Sequence, residues 1–361
     1  MGIYEAYYDC RSEPFNLSPD PRFLYMSPTH REAMAQLRYV VEMRKGFAVL
    51  TGEVGLGKTI LLRSLLERVG PQVHTAYILK PPCSVAELYE AIGSELELGF
   101  NGAASSMIKL NHFLLEVFRT GGTVALVFDE AQHLPLQVLE EIRLLSNLEA
   151  PDAKLLQVIL AGQPELDRLL DAPELRALRQ RVVMHHSLAP LALEDTIHYI
   201  ANRVRIAGGR QSPFTLDACR SVHRLAGGVP RLINLICDKA MLSSYASDSR
   251  QVDRRCVELV AGELQLKPPP VTAARQKGNT DTQRWPRILW RGPRLRGKLA
   301  AVAITLLAVL LAAAGVVASR FYFTNEREHR TVSRETNPAG LSATSLQTQP
   351  KPGSRSTTLC V

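Results

Sequence analysis

The residues with the clearest chemical potential form the run Gly52-Glu53-Val54-Gly55-Leu56-Gly57-Lys58-Thr59. This run fits G-x-x-x-x-G-K-[ST], a loop whose backbone N–H groups point inward at phosphate oxygens. Its glycines permit the tight curl that such a loop needs. A lysine amine at Lys58 reaches the β- and γ-phosphates of a nucleotide, and the Thr59 hydroxyl holds Mg²⁺. Together with Ile60, which follows directly, the run is the predicted binding site for ATP and Mg²⁺.

The segments on either side of this loop provide the setting that the motif requires. An apolar run at 47–50 precedes it, and leucines with helical spacing follow at positions 61, 62, 65 and 66. A strand, a loop and a helix are therefore predicted in that order, and the helix N-terminus adds partial positive charge for phosphate. The alternative is a glycine-rich turn without a ligand. The flanking pattern favours the phosphate loop.

Two acidic residues end a second buried strand. Residues 123–128 are almost continuously apolar, which is typical of a parallel strand covered on both faces, and Asp129 and Glu130 follow. Open α/β sheets bind ligands at the carboxyl ends of their strands. Asp129 is therefore predicted to orient hydrated Mg²⁺ beside Thr59, and Glu130 to polarise an attacking water. Solvated turn acids are the alternative, but the preceding phosphate loop favours a nucleotide site.

Three further strands are predicted at 75–79, 155–160 and 182–188, and helices between them at 84–96, 107–118 and 136–148. Alternating strands and helices indicate a parallel α/β sheet. Gln163 follows the predicted strand at 155–160, so its amide is predicted to position the water or to contact the γ-phosphate. A polar turn residue before Pro164 is an equally compatible interpretation.

The region after the last strand has a different pattern. Residues 191–264 carry apolar residues at helical spacing, punctuated by Gly208-Gly209 and Pro213, so an all-helical lid is predicted. His185 and His186 are adjacent on a strand and face opposite ways, which favours structural roles over joint metal binding. The six cysteines show no C-x-x-C spacing, so they indicate neither a metal site nor a redox motif.

An ordered set of motifs extends over roughly residues 1–265. It includes Pro14-Phe15-Asn16-Leu17-Ser18-Pro19-Asp20-Pro21-Arg22-Phe23-Leu24-Tyr25, Phe128-Asp129-Glu130-Ala131-Gln132, Leu160-Ala161-Gly162-Gln163-Pro164-Glu165-Leu166 and Gly227-Gly228-Val229-Pro230-Arg231-Leu232-Ile233-Asn234. With the phosphate loop, this set resembles AAA+ ATPases and, more narrowly, the general secretion pathway protein A family.

The resemblance implies roles for individual residues. Lys58 and Thr59 match the Walker A motif, and Asp129 and Glu130 match Walker B. Gln163 occupies the place of the first sensor, where many AAA+ proteins carry asparagine. Arg231 matches the second sensor, a lid guanidinium that contacts the γ-phosphate and couples lid position to nucleotide state. The alternative role for that arginine is an ion pair on a helix surface.

The resemblance also implies an oligomer. Arg181 and its neighbours Arg179 and Arg176 precede the fifth strand, where AAA+ proteins place an arginine finger that acts on the neighbouring subunit's nucleotide. Arg181 is the predicted finger, and the sequence leaves the other two arginines open. The pair His30-Arg31 either flanks the adenine or begins a helix.

The C-terminal third has the composition of a membrane anchor. Residues 267–298 contain nine basic residues and one acid, a charge of +8 that equals the net charge of the whole chain. The uncharged run at 299–318 is long enough to span a hydrocarbon core of about 30 Å. The basic side is predicted to stay cytoplasmic. Alternatives are a buried soluble helix at 299–318 and a basic segment that binds nucleic acid or anionic lipid.

These observations predict an α/β P-loop AAA+ parallel-sheet domain at 1–189 and a helical lid at 190–265. A basic cytoplasmic linker at 266–298, one transmembrane helix at 299–318 and a short disordered extracytoplasmic tail at 319–361 complete the predicted chain. The predicted function is that of a homo-oligomeric ATPase of the bacterial inner membrane that works with envelope secretion components. Alternatives are a nucleotide-dependent DNA-binding ATPase of the kind that selects transposon targets and a slowly hydrolysing regulatory switch.

Overall fold

The computed structural model describes residues 3–99, 103–151 and 153–266. The linker from Lys267 onward, the predicted membrane helix at 299–318 and the tail lie outside the described residues. Within those described ranges, every helix is too short or too polar to cross a lipid bilayer.

The central element of the described residues is a five-stranded sheet in which every pair of neighbouring strands is parallel. The strands of the chain are β1 Phe47–Thr51, β2 Val73–Ile78, β3 Thr123–Phe128, β4 Glu149–Ala150, β5 Ala153–Lys154, β6 Leu156–Gly162 and β7 Val182–Ser187. Their order in the sheet is β2-β3-β6-β1-β7, while β4 and β5 form a separate antiparallel hairpin. The predicted parallel α/β sheet is therefore confirmed. Because β3, β6 and β1 are neighbours, the polar residues that follow them meet at one edge.

Helices connect and cover the strands. They are α1 Pro28–Glu42, α2 Lys58–Arg68, α3 Val85–Glu95, α4 Ala103–Arg119, α5 Leu136–Leu145, α6 Pro164–Leu170, α7 Arg176–Arg179, α8 Leu193–Ile206, α9 Leu216–Ala226, α10 Pro230–Ala246 and α11 Arg254–Glu263. Side-chain oxygens of Ser27, Ser84, Thr215 and Asp253 accept backbone N–H groups at the starts of α1, α3, α9 and α11. Such caps fix where these helices begin.

The sheet has a hydrophobic core on each face. Phe47 and Val49 point into one core, which also receives α3, α4 and α5, whereas Ala48 and Leu50 point into the other, with α1 and α2. Alternate residues of a strand face opposite sides, so a strand covered on both sides is apolar throughout. Every residue of β1 and β3 is buried, as the continuous apolar runs indicate.

A third core belongs to the helices α8 to α11. The N-terminal residues 4–25, here called the strap, contribute Tyr4, Tyr8, Phe15 and Phe23 to this core. The predicted domain at 1–189 includes the strap with the sheet, but the aromatic side chains of the strap pack in the helical bundle. The strap then leads through Ser27 into α1, so it passes from the bundle to the sheet.

Candidate functional site

The phosphate loop joins β1 to α2. Gly57 has φ of +96° and caps α2, a conformation in which a side chain would be strained. The Lys58 side chain is buried, and its Nζ donates to the carbonyl oxygens of Gly52 at 2.7 Å and Glu53 at 3.1 Å. Burial lowers the pKa of Lys58, while the nearby charges of Glu130 and Asp129 act in the opposite direction. The loop thus curls around a buried amine that faces two carboxylates.

The two predicted Mg²⁺ ligands are in direct contact. The Thr59 hydroxyl donates to Oδ2 of Asp129 at 2.7 Å, and the Glu130 N–H donates to Oδ1 at 3.0 Å. Asp129 is only 1% exposed. A hydroxyl and a carboxylate placed side by side offer the oxygen ligands that Mg²⁺ prefers.

Tyr77 is a member of this cluster that the sequence analysis missed. Its hydroxyl donates to Oδ2 of Asp129 at 2.9 Å. Burial raises the pKa of Tyr77, and the charge of Asp129 raises it further, so the phenol stays protonated as a donor. The sequence placed Tyr77 within a predicted strand and gave no sign of its partner. Its position beside Asp129 follows from the pairing of β2 with β3, in which Tyr77 is opposite Val127.

Glu130 is held by two glutamines. Its Oε2 accepts from Nε2 of Gln132 at 2.6 Å and from Nε2 of Gln163 at 3.2 Å. Oε1 of Gln132 also accepts the backbone N–H of Gln163 at 3.0 Å. Burial alone would raise the pKa of Glu130, but the two amide donors and the charge of Lys58 lower it below its ordinary value. Glu130 is therefore a carboxylate at neutral pH, and its backbone has φ of +52°, in the left-handed region.

Gln132 is the second residue that sequence reasoning did not assign. A Cβ on Gly162 would lie 2.7 Å from its Oε1, so the backbone at the end of β6 closes directly onto this amide. Only its position two residues after Glu130 marked it in the sequence. The contact depends on the pairing of β3 with β6.

The helical bundle reaches the loop at one point. The Arg231 N–H, at the start of α10, donates to the Gly55 carbonyl oxygen at 3.2 Å. A Cβ on Gly55 would lie 2.7 Å from the Cβ of Arg231, so only glycine permits this approach. The predicted second-sensor residue therefore lies against the phosphate loop.

A cavity of about 220 Å³ extends from the loop between the strap and the bundle. Its lining includes Lys58, Thr59 and Glu130 from the nucleotide motifs, and Asn16, Tyr199 and Asn234 from the strap and the bundle. The predicted loop residues from Val54 to Ile60 all line it, and Arg231 does too.

His30 lies beneath the phosphate loop. Its Nε2 is 3.0 Å from the Leu56 carbonyl oxygen, which can only accept, so Nε2 carries the proton and Nδ1 accepts from the Ser27 hydroxyl at 2.7 Å. Burial lowers the pKa of His30 and favours this neutral form. His30 lines the cavity and braces the loop, whereas Arg31 is exposed and donates to the Met26 carbonyl oxygen.

The three arginines before β7 have different surroundings. The Arg181 guanidinium donates to the Arg143 carbonyl oxygen at 2.7 Å and to the side chains of Ser146 and Asn147. Arg179 forms an ion pair with Asp171. Arg176 is exposed, and its guanidinium has no ion-pair or hydrogen-bond partner among the described residues. The predicted finger, Arg181, is thus bound to the end of α5 in its own subunit.

The two adjacent histidines of β7 lie on opposite faces, as the strand pattern predicts. His185 Nε2 is 2.7 Å from the Asp167 carboxylate, and His186 is buried.

Comparison with known proteins agrees with this geometry. The family model described as "AAA domain" matches residues 41–170. A curated relative, "General secretion pathway protein A" from Aeromonas hydrophila, is 41% identical over 265 residues, which are 73% of this chain. The chain spans 48% of the length of that relative.

Solved structures share the fold. Cdc6p from Pyrobaculum aerophilum matches with a TM-score of 0.54 and 18% identity, over 68% of this chain and 71% of that one. The ORC2 protein from Aeropyrum pernix matches with a TM-score of 0.54 and 14% identity, over 70% and 71%. These identities show the fold alone. The phosphate loop, the parallel sheet and the AAA-domain match together show an AAA+ P-loop domain in this chain, and the 41% identity shows that the chain is similar to general secretion pathway protein A.

Proposed function

We propose that the chain binds ATP with Mg²⁺ in the cavity beside the phosphate loop and hydrolyses it. The observation that carries this proposal is the contact between Thr59 and Asp129 next to the buried amine of Lys58. The loop is also held close to α10, because a side chain at Gly55 would collide with Arg231.

Each residue has a distinct task in this proposal. Bound Mg²⁺ supplies charge neutralisation for the phosphates, and Thr59 and Asp129 are the residues that would hold it. Lys58 moves from the carbonyl oxygens of its own loop to phosphate oxygens, which offer stronger, charge-assisted hydrogen bonds.

Glu130 accepts the proton of the attacking water. Its carboxylate is already charged, and Gln132 and Gln163 fix its orientation through one oxygen, which leaves the other free for water. The amide of Gln163 thereby assists hydrolysis indirectly, because it orients the Glu130 carboxylate.

The lid reports the nucleotide state through α10. Because the Arg231 backbone contacts Gly55, its side chain enters the cavity at the phosphate end. Gain or loss of the γ-phosphate then changes the position of α10, a movement that can drive a partner protein.

We infer that the active form is an oligomer completed by an arginine from the neighbouring subunit. Arg176 suits this task better than Arg181, because its guanidinium is exposed while that of Arg181 binds the end of α5.

We propose that this ATPase acts at the cytoplasmic face of a bacterial inner membrane, anchored by residues 299–318, and serves an envelope secretion system. The support is the named relative, the apolar run and its basic flank. The alternative is a DNA-binding ATPase. Secretion components that co-purify with the Glu130→Gln chain from detergent-solubilised envelopes support the first proposal, and DNA in their place supports the second.

The central test is ATP binding by Lys58→Ala. The loss of the buried Lys58 amine should weaken binding of Mg²⁺-ATP by at least about a hundredfold, as expected for a charge-assisted contact to phosphate. Binding is measured by calorimetry with the full chain in detergent. Lys239→Ala, an exposed lysine of α10, is the matched control and should bind ATP like the wild type. Undiminished affinity of Lys58→Ala contradicts the proposed site.

A further inference from the structure

A buried arginine of the lid lines the same cavity as the phosphate loop but makes its hydrogen bonds elsewhere. Arg203, on α8, is 5% exposed and lines the cavity. It forms no ion pair with any Asp or Glu among the described residues. The pKa of Asp20 in the strap is lowered by its hydrogen bond with Arg22 and also by the charge of Arg203, so one carboxylate lies near the guanidinium without pairing with it. Burial of an unpaired guanidinium is costly, so its other contacts must compensate.

Those contacts run to the strap. Nε of Arg203 donates to the Pro14 carbonyl oxygen, and Nη2 donates to the Asn16 carbonyl oxygen at 3.1 Å. The guanidinium also lies over the Phe23 ring, with 4.5 Å to the centroid. Two donated hydrogen bonds and one cation–π contact thus bind the strap to α8.

The same guanidinium connects α8 to α10. Nη1 of Arg203 donates to the Tyr199 hydroxyl at 3.0 Å, and this hydroxyl donates to Oδ1 of Asn234 at 2.8 Å. Asn234 is one turn along α10 from Arg231, which contacts the phosphate loop. The strap, α8 and α10 are therefore held together by one cation.

These three elements line the cavity together with the phosphate loop. The strap lines it from Asn16 to Pro19, with Tyr199 from α8 and Asn234 from α10. If the phosphates of a nucleotide bind at Lys58, as proposed above, the strap, α8 and α10 are the elements left to surround its sugar and base.

We propose that Arg203 is a positioning residue for the nucleoside part of the bound nucleotide. By fixing the carbonyl oxygens of Pro14 and Asn16, it holds the strap backbone where it walls the base-binding end of the cavity. This inference rests on the proposed ATP site. Arg203 and the strap both lie outside the matched family region at 41–170.

The test compares two ligands that share phosphates and differ in the nucleoside. Full chain in detergent is titrated with Mg²⁺-ATP and with Mg²⁺-tripolyphosphate, which has no sugar or base. Arg203→Met keeps the apolar stem and removes the donors, so it should weaken ATP binding about tenfold or more. Tripolyphosphate affinity and kcat at saturating ATP should change less than about twofold, since the phosphate contacts are intact.

Two further variants sharpen the comparison. Arg205→Met lies on the exposed face of the same helix and should leave both affinities unchanged. Tyr199→Phe removes only the hydroxyl that joins Arg203 to Asn234, and should shift the ratio of the two affinities in the same direction as Arg203→Met. If Arg203→Met does not fold, Tyr199→Phe decides the question.

Each outcome has one meaning. If the folded variant loses affinity for both ligands equally, or keeps its affinity for both, Arg203 does not position the nucleoside. A wild-type chain that binds neither ligand contradicts the ATP site itself.

Discussion

At the scale of single residues, the site is a set of opposed charges fixed by neutral donors. Lys58, Asp129 and Glu130 carry the charges, and Tyr77 and Gln132 supply donors that orient them. The residue types and spacing of the charged members were sufficient to predict them. The neutral donors were not predictable, because an amide or a phenol in a sequence fits many local roles. Gln132 acquires its role only when β6 brings Gln163 beside it.

The network around Glu130 leads to a prediction about catalysis. Glu130→Gln keeps the size and one acceptor oxygen of the side chain but removes the base, so hydrolysis should slow by about 10² to 10⁴. ATP affinity should be retained, because Lys58, Thr59 and Asp129 are unchanged. Phosphate release at saturating ATP and ATP retained after gel filtration are the two measurements.

Glu116→Gln is a suitable control for that variant, since Glu116 is an exposed glutamate of α4. It should hydrolyse ATP at the wild-type rate. If Glu130→Gln also does so, Glu130 is not the base.

At the scale of elements, the order of the strands decides which residues meet. The sequence predicted where β1, β3 and β6 lie, but their adjacency required the fold. Helix ends were less predictable. The predicted helix at 136–148 ends at Leu145, where Arg181 binds the Arg143 carbonyl oxygen and the Ser146 side chain. Contacts from a distant segment thus terminate a helix whose own apolar spacing continues.

The strap shows the same limit. Its aromatic residues have no strand or helix period, so the sequence could not indicate which core they enter. Tyr4 donates to Asp238 and Tyr8 to the Met241 carbonyl oxygen, both of α10. Long-range partners of this kind, rather than local pattern, place the strap on the bundle.

The short helix α7 leads to a prediction about the finger. Arg176→Ala should lower kcat about a thousandfold, the scale at which an arginine finger acts, while the chain stays folded. Mixing it with inactive Lys58→Ala subunits should restore hydrolysis, because those subunits supply Arg176 to neighbours that bind ATP. Hydrolysis of the mixture is compared with that of each variant alone.

Arg181→Ala is the informative counterpart. Loss of its contacts with α5 should lower the free energy of unfolding by about 1 kcal/mol and leave hydrolysis in place. If mixing rescues Arg181→Ala and not Arg176→Ala, then Arg181 is the finger.

At the scale of the whole molecule, charge and apolar residues are segregated along the chain. Nine basic residues and one acid at 267–298 carry a charge of +8, equal to that of the whole chain, so the remainder is close to neutral. A neutral ATPase module with a basic segment next to an apolar run is the pattern expected of a protein held at an anionic membrane surface. Composition is enough to make this prediction, since insertion depends on summed transfer free energies rather than on tertiary contacts. It stays a prediction, because residues 267–318 lie outside the described residues.

The anchor is tested by placing charge inside the apolar run. Each arginine at the centre of a spanning helix costs about 2.5 to 3.5 kcal/mol, so the double change Leu306→Arg and Leu310→Arg should release the chain from membranes at alkaline carbonate extraction. The pair Leu341→Arg and Leu346→Arg puts the same charges in the tail and should leave the chain in the membrane pellet. ATP hydrolysis should survive in both, since the cavity lies within residues 16–234. If alkaline carbonate extracts the wild-type chain from membranes, and nuclease treatment also releases it from the pellet, then the basic segment binds nucleic acid instead.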